Sequence, residues 1–311
     1  MKAGEASGAA ALQYNDSDWG LLDLPHDWMV ELPFDQNAIP SQGYWPCGIS
    51  WYRRSFHLST SDKARVIEIQ FDGVATYCTV WVNGILAARN WCGYTSFYID
   101  VTPIARFGNQ LNTIALRVDA NAREGWWYEG AGIYRHSWLV MRNPVHVTTN
   151  GVFANPVFRT DGNWILPIEA TLTNSRHEQA DVEVNSVLLD SEGVEVARGK
   201  GMGTIDVFTE TPIHFTIPVT SPHLWSVDDP TLYQVRRTVM QDGREIDSVT
   251  THCGFRTGRF DEGRGFFLND RPLKIHGVCE HAGHAGVGVA VPDSLWEFRI
   301  RKLKEMGVNA I

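Results

Sequence analysis

The side chains of this chain that could do chemistry at close range lie in one short segment near its end. Cys279, His281 and His284 are spaced closely enough to act as zinc ligands. No fourth ligand lies nearby in sequence, and glycines flank the segment, so we expect no metal site here. Glu280, which stands between the cysteine and the first histidine, is a tempting candidate for a catalytic carboxylate.

Tryptophan is a second possible source of function, because the apolar face of a sugar ring stacks on an aromatic ring. The chain contains 12 tryptophans, and Trp126 and Trp127 stand side by side before Tyr128. From composition alone, packing in cores and corners is the favoured interpretation. A platform that faces a sugar is the alternative.

The segment with the histidines lies between a predicted strand and a predicted helix. Leu273 to Val278 has the composition of a short buried strand, and Pro292 to Met306 has a helical period. The apolar face of the helix is formed by Trp296, Ile300, Leu303 and Met306. A strand, a helix and the start of another strand open a parallel βα repeat. One such unit cannot bury both faces of its strand, so we expect a chain that is truncated early in the repeat.

The first half of the chain shows the period-two pattern of half-buried strands. Ile67, Ile69 and Phe71 alternate with polar residues. Asn83-Gly84 is a strong signal for a two-residue hairpin, because both positions accept positive φ. Many short strands joined by such turns predict a sandwich or a jelly roll.

Three regions follow from these patterns. Residues 1–143 form the predicted jelly roll, and Asn143-Pro144 is a plausible linker. Residues 144–256 repeat the β pattern over a shorter length, with turn signals such as Asp242-Gly243, which fits an immunoglobulin-like sandwich. Residues 257–311 contain the βα unit.

Composition argues against several classes of function. The net charge is −9 without a basic stripe, so we expect no nucleic-acid or membrane partner. No apolar run approaches the ~18 residues that a membrane span needs. Five cysteines at irregular spacing argue against a disulfide framework, and no signal peptide is visible. We therefore predict a cytoplasmic location.

Several short motifs follow one another in a fixed order along the chain. They are Leu24–Trp28, Gly48–Phe56, Val80–Gly84, Trp127–Arg135, Gly254–Arg256, Lys274–Val278 and Leu303–Ile311. One such string would be a weak signal, but the ordered series resembles the glycoside hydrolase family 2 enzymes, most closely their β-galactosidase-like members. The resemblance covers nearly the whole chain, from about Asp18 onward.

The resemblance implies a mainly β chain: a jelly-roll sugar-binding domain, an immunoglobulin-like β-sandwich, and the first βα unit of a TIM barrel. Such enzymes cleave terminal β-linked sugars with retention, using one glutamate as acid and another as nucleophile. In this family both glutamates come from later barrel strands, so we assign no catalytic role to Glu280 or Glu305. The 311-residue chain alone is expected to be inactive.

The resemblance also implies which residues form the first edge of the sugar site. The predicted substrate-binding residues are Arg123, Trp126, Trp127, Glu280, His281 and His284. Barrel sites form at the C-terminal ends of strands, and His281 matches a family histidine that touches the bound sugar. A neutral imidazole can both donate to and accept from hydroxyl groups. No cofactor is identifiable, although a full-length enzyme could hold Mg²⁺ or Na⁺ in its barrel and form a homo-oligomer.

Other positions have weaker interpretations. The segment Gln42–Trp45 is a second candidate wall of the site. His26-Asp27 is interpreted as a polar corner that anchors the first strand, without a catalytic role. Many relatives have polar residues between the two histidines, whereas Ala282-Gly283 stand there in this chain. The sugar preference is therefore open.

A β-galactosidase that acts on a carbohydrate substrate is the favoured function. β-Glucuronidase and β-mannosidase of the same family are alternatives, because the residues that separate them lie mainly in the later barrel. A non-catalytic carbohydrate-binding protein and a scaffold without a ligand are alternatives from other classes. A binding module predicts a natural stop near Arg256, whereas this chain continues about 55 residues further.

Overall fold

A computed structural model of the protein describes residues 1–122 and 125–311. These residues form two compact units. The first unit contains residues 1–141 together with 279–307, and the second unit contains residues 142–278 together with 308–311. The domain boundaries at 143/144 and 256/257 stay predictions.

The first unit is built on two sheets. Its strands are β1 (Lys2–Ala3), β2 (Ile49–Phe56), β3 (Val66–Phe71), β4 (Tyr77–Val82), β5 (Ile85–Asn90), β6 (Phe97–Asp100), β7 (Asn112–Asp119) and β8 (Ser137–Arg142). One sheet has the order β1-β2-β7-β4-β5, and the other has the order β6-β3-β8. Buried side chains from both sheets, among them Ile67, Val80 and Leu116, share one core. The predicted first sandwich is therefore confirmed.

The sequence pattern accounts for the local structure of this sandwich. Ile67, Ile69 and Phe71 point into the core and are no more than 5% exposed, as their alternation predicts. Between β4 and β5, Asn83 and Gly84 adopt φ of 54° and 80°. Two successive residues with positive φ match a type I′ turn, whose twist suits a hairpin.

The helical elements of the first unit are short. They are the 3₁₀ helices Trp28–Glu31, Pro40–Gln42, Thr60–Ala64 and Thr102–Ile104 and the α-helix α1 (Asp293–Glu305). Helix α1 confirms the predicted helix, but its apolar face is poorly covered, since Ile300 is 50% and Met306 75% exposed. Among the described residues, no helix combines the length and the apolar content needed to cross a bilayer.

The second unit is also a sandwich with an additional small sheet. Its strands are β9 (Val145–Ala154), β10 (Val157–Phe158), β11 (Trp164–Asn174), β12 (Ala180–Leu189), β13 (Glu195–Ile205), β14 (Glu210–Val219), β15 (Tyr233–Gln241), β16 (Arg244–Cys253), β17 (Gly258–Asp261), β18 (Gly265–Leu268) and β19 (Arg271–Pro272). In one sheet β11 lies between β14 and the pair β9 and β10, and a second sheet has the order β13-β12-β15-β16. Strands β17, β18 and β19 form the third sheet.

Alternation again decides which side chains fill the core of the second unit. Leu166, Ile168 and Leu172 of β11 are at most 2% exposed, and residues of the facing sheet pack with them. Asp242-Gly243 forms the predicted turn between β15 and β16, with φ of 50° and 74°. The prediction of a mainly β chain with two sandwiches is confirmed.

The segment predicted as a buried barrel strand departs from that prediction. Leu273 to Val278 is mostly exposed and forms no continuous strand. A single parallel bridge joins Gly277 to Ala310, supported by the Val278 N–H that donates to the Ala310 carbonyl at 3.1 Å. A parallel strand needs partners along its length, and within the described chain only the residues around Ala310 pair with this one.

We expect the five cysteines to react with iodoacetamide in an order set by exposure and thiol pKa. All five are free thiols. Burial raises the pKa of the Cys78 thiol to about 12 and that of Cys253 to about 11. Because the thiolate is the nucleophile, these two should stay unlabelled in native protein near neutral pH, while exposed Cys279 is labelled first. Peptide mass spectrometry would check the order, and fast native labelling of Cys78 would contradict it.

Candidate functional site

Two loops of the first unit bring predicted site residues together. We call residues 125–131 the tryptophan loop and residues 279–291 the histidine loop. The ring centroids of Trp127 and His281 lie 5.6 Å apart at an interplanar angle of 42°. The two residues are 154 positions apart in sequence, so the fold creates this pair. An aromatic face and an imidazole thus border the same space.

The Trp127 side chain is held by its neighbours while its ring stays accessible. Its Nε1 donates to the Tyr94 hydroxyl at 3.0 Å, and the residue is 41% exposed. Gln42, which is buried, donates from Nε2 to the Trp127 carbonyl at 2.7 Å. The Gln42 Oε1 accepts from the Glu129 N–H at 3.0 Å. One buried amide therefore fixes the backbone on both sides of Tyr128.

The backbone at His281 is fixed from helix α1. Arg299 of this helix donates from Nη2 to the His281 carbonyl at 3.2 Å, and the same guanidinium forms an ion pair with Glu280. The Arg299 guanidinium also lies over the Trp296 ring, 4.6 Å from its centroid. The carboxylate of Glu280 is thus used to hold the loop, whereas the side chain of His281 is exposed.

Asp27 joins the two loops through a single buried carboxylate. Its Oδ1 accepts from the N–H groups of Met29 at 3.2 Å and Ala131 at 3.0 Å. Its Oδ2 accepts from the Tyr128 hydroxyl at 2.7 Å and the Val289 N–H at 2.9 Å. The residue is only 2% exposed. Four donors from three segments satisfy a group that would be costly to bury alone.

The surroundings of Asp27 set its protonation and that of its partner. Burial raises the pKa of the Asp27 carboxyl, and the hydrogen bonds from Val289, Tyr128, Ala131 and Met29 oppose that shift. Burial, and then the negative charge of Asp27, raise the pKa of the Tyr128 phenol. Tyr128 therefore keeps its proton and acts as the donor in this pair.

Two glycines allow the loops to approach this carboxylate. Gly130 and Gly288 have φ of 69° and 61°, a region that favours glycine. A Cβ on Gly130 would lie 2.7 Å from Asp27 Oδ2, and one on Gly288 would lie 2.7 Å from Asp27 Cγ and overlap Oδ2. Backbone approach at both positions thus depends on the absence of a side chain.

The remaining predicted site residues are Trp126, His284 and Arg123. Trp126 is 92% exposed. His284 forms a tight turn with Gly288, since each backbone N–H donates to the other's carbonyl, at 2.8 and 2.9 Å. Its side chain is half-buried. Arg123 lies outside the described residues.

Sequence reasoning missed several residues that build this site. Tyr94 and Arg299 gave no signal beyond their residue type. Gln42 was predicted as part of a wall, and it proves to be a buried support for the tryptophan loop. The interpretation of Asp27 as an anchor of the first strand was incomplete, because its hydrogen bonds also reach Val289.

The site as described is equipped for binding. A half-exposed indole offers an apolar face, and an exposed imidazole offers a donor and an acceptor for hydroxyl groups. In the described part of the chain, no cluster of three or more His, Cys, Asp or Glu side chains is placed to hold a metal ion.

A separate cavity of about 540 Å³ in the first unit has a mostly aliphatic and aromatic lining, including Phe71 and Leu116.

Two family models match the chain. The model described as glycosyl hydrolase 2 galactose-binding domain-like matches residues 28–144. The model described as glycosyl hydrolases family 2 matches residues 145–256. Both belong to the same enzyme family, and together they cover most of the chain.

Known proteins of this family resemble the chain over nearly its whole length. A β-galactosidase of Bacteroides ovatus is 37% identical over 99% of the chain, which spans 36% of that protein. A putative β-glucuronidase of Formosa agariphila is 32% identical over 96% of the chain, which spans 28% of it. The crystal structure of a glycosyl hydrolase family 2 member from Bacteroides cellulosilyticus covers 98% of the chain with a TM-score of 0.92 and 31% identity, and the chain covers 40% of it. The chain belongs to glycoside hydrolase family 2.

Proposed function

We propose that the whole protein is a retaining glycosidase that removes terminal β-linked sugars and acts on β-galactosides. The observation that carries this proposal is the pair formed by Trp127 and His281, which borders one accessible space. The β-galactosidase of Bacteroides ovatus supports the choice of sugar. The two catalytic glutamates of the retaining mechanism are assigned to later barrel strands, not to residues of this chain.

The described residues would bind the sugar and orient it. The indole face of Trp127 is suited to the apolar face of a pyranose ring, where C–H groups point toward the aromatic ring. His281 can donate to one hydroxyl and accept from another. Trp126, which is almost fully exposed, would add a second aromatic contact. Such contacts increase the rate when they hold the glycosidic bond in line with the acid and the nucleophile.

A β-glucuronidase is the second candidate, because a relative of similar identity is named a putative β-glucuronidase. The two substrates differ in the group at C5 of the sugar, a hydroxymethyl in galactosides and a carboxylate in glucuronides, and in the 4-hydroxyl, which is axial in galactosides and equatorial in glucuronides. Turnover of p-nitrophenyl β-galactoside and p-nitrophenyl β-glucuronide by the whole enzyme distinguishes them. A cation such as Mg²⁺ or Na⁺, the oligomeric state and the cytoplasmic location stay predictions.

In the whole enzyme, Trp127→Ala and His281→Ala should each raise the KM for the preferred substrate. We expect about a tenfold rise for Trp127→Ala, since loss of a stacking contact of ~1.4 kcal/mol corresponds to a factor of ten. Trp91→Ala is the matched control, because Trp91 is 62% exposed on the same unit and packs on Tyr77. Steady-state kinetics would check this result.

Equal KM values for Trp127→Ala and Trp91→Ala would contradict the assignment of Trp127. Absence of turnover of both substrates by the unaltered whole enzyme would contradict the proposed function. The 311-residue chain, which contains no residue assigned to the catalytic step, should give no turnover in the same assay.

A further inference from the structure

Asp27 is the only described residue whose side chain accepts hydrogen bonds from both the tryptophan loop and the histidine loop. It accepts hydrogen bonds from the Tyr128 hydroxyl and the Ala131 N–H of the tryptophan loop, and from the Val289 N–H of the histidine loop. Both loops are therefore tied to one carboxylate. Because Asp27 also caps the 3₁₀ helix Trp28–Glu31 through the Met29 N–H, this carboxylate is itself held by the sandwich.

The hydrogen bonds lie close to the two residues that border the sugar space. Tyr128 directly follows Trp127, and Val289 stands eight positions after His281. Gly283 of the histidine loop approaches Tyr128, since a Cβ there would lie 3.5 Å from the Tyr128 ring. A change at Asp27 would consequently shift both the loop that carries Trp127 and the loop that carries His281.

We propose that Asp27 is a positioning residue, which sets the separation of Trp127 and His281 and thereby how tightly the site binds its sugar. The proposal rests on the proposed function only for the identity of the ligand. Asp27 does not touch the reacting atoms and acts through the two loops. Its expected effect is therefore on substrate binding more than on the chemical step.

The decisive variant is Asp27→Asn. An amide keeps one acceptor oxygen, but its nitrogen is a donor and would face either the Val289 N–H or the Ala131 N–H. Either the histidine loop then loses its bond from Val289, or the tryptophan loop loses its bond from Ala131 and keeps only the one from Tyr128. Tyr128→Phe is a milder second variant, because it removes one donor and leaves the carboxylate with its three N–H groups.

In the whole enzyme, Asp27→Asn should raise KM about tenfold or more while kcat changes much less, and Tyr128→Phe should raise KM by a smaller factor. Asn83→Ala is the control for loss of stability alone. Asn83 is a buried amide of the same unit that bonds to the Ile104 carbonyl, to Asn112 and to the Thr113 N–H, and these three partners lie outside both loops. It should lower Tm and leave KM unchanged.

Hydrogen exchange gives a readout that does not depend on activity. In the 311-residue chain, Asp27→Asn should speed amide exchange in peptides that cover Ala131 and Val289, and Asn83→Ala should not. If the unaltered enzyme turns over neither test substrate, the proposed function fails and exchange alone decides the role of Asp27. The positioning role is overturned if Asp27→Asn changes KM and loop exchange no more than Asn83→Ala does. If Asp27→Asn does not fold, Tyr128→Phe is judged by the same comparison.

Discussion

Replacing Phe255 by alanine should destabilise the second unit by about 3–5 kcal/mol, the range for a large aromatic side chain removed from a packed core. Phe255 is fully buried. Its ring meets those of Trp164 and Tyr233 edge to face, with centroids 5.4 and 5.0 Å away. Neither neighbour can fill the space that the ring leaves without losing its own packing, so a cavity should remain.

The matched control is Phe260→Ala, which removes the same side chain a few residues later. Phe260 is 81% exposed on β17 and contacts the Phe266 ring at 5.0 Å. Its loss should change stability by no more than about 0.5 kcal/mol. Urea denaturation of the 311-residue chain, followed by tryptophan fluorescence, would measure both. Similar midpoints for the two variants would refute this account of the core.

Phe255 also explains why the Gly-Phe-Arg string stands out in the sequence. The phenylalanine fills the core, its carbonyl accepts from the Trp225 N–H at 2.8 Å, and the Arg256 guanidinium lies over the Trp225 ring at 4.7 Å. Each of the two residues is thus tied to the segment around Trp225. The string is a packing motif, and we attach no chemistry to it.

The β architecture could be predicted because its signals are local. The alternation of Ile67, Ile69 and Phe71 reports which side of a strand is buried, and the Asn83-Gly84 pair reports a turn that few other residues allow. Neither inference needs knowledge of the rest of the chain. The prediction of a strand at Leu273 to Val278 was wrong because a parallel strand also depends on partners elsewhere in the chain. The apolar residues Leu273, Ile275 and Val278 signal a strand only if neighbouring strands pair with it.

The site could be predicted only in part, because its geometry depends on residues far apart in sequence. Resemblance to a family suggested that Trp127 and His281 belong to one sugar site, but no spacing in the chain indicates that their rings meet. An aspartate before Trp28 signals a helix cap. No local sequence pattern indicates that the same carboxylate also accepts a hydrogen bond from the Val289 N–H, 262 positions later. Hydrogen bonds of this kind become visible only when the fold is known.

Gly288→Ala should have the largest effect on the site of any single methyl group added to the histidine loop. With φ of 61°, an alanine here pays the left-handed backbone cost of ~1–2 kcal/mol. Its Cβ would also overlap Asp27 Oδ2 and lie 2.9 Å from Val30 Cγ1. The Val289 N–H must then move away from Asp27, so the histidine loop should loosen, and kcat/KM of the whole enzyme should fall by about tenfold or more.

Gly286→Ala separates the steric overlap from the backbone cost. Gly286 lies in the same loop with φ of 87°, and a Cβ there would meet no atom within 4 Å. Both variants place an alanine in the left-handed region, but only Gly288→Ala brings a Cβ against Asp27. Hydrogen exchange at Val289 and the KM of the whole enzyme should therefore change strongly for Gly288→Ala and little for Gly286→Ala. If the two variants behave alike, backbone strain explains the effect, and the close approach of Gly288 to Asp27 has no functional consequence.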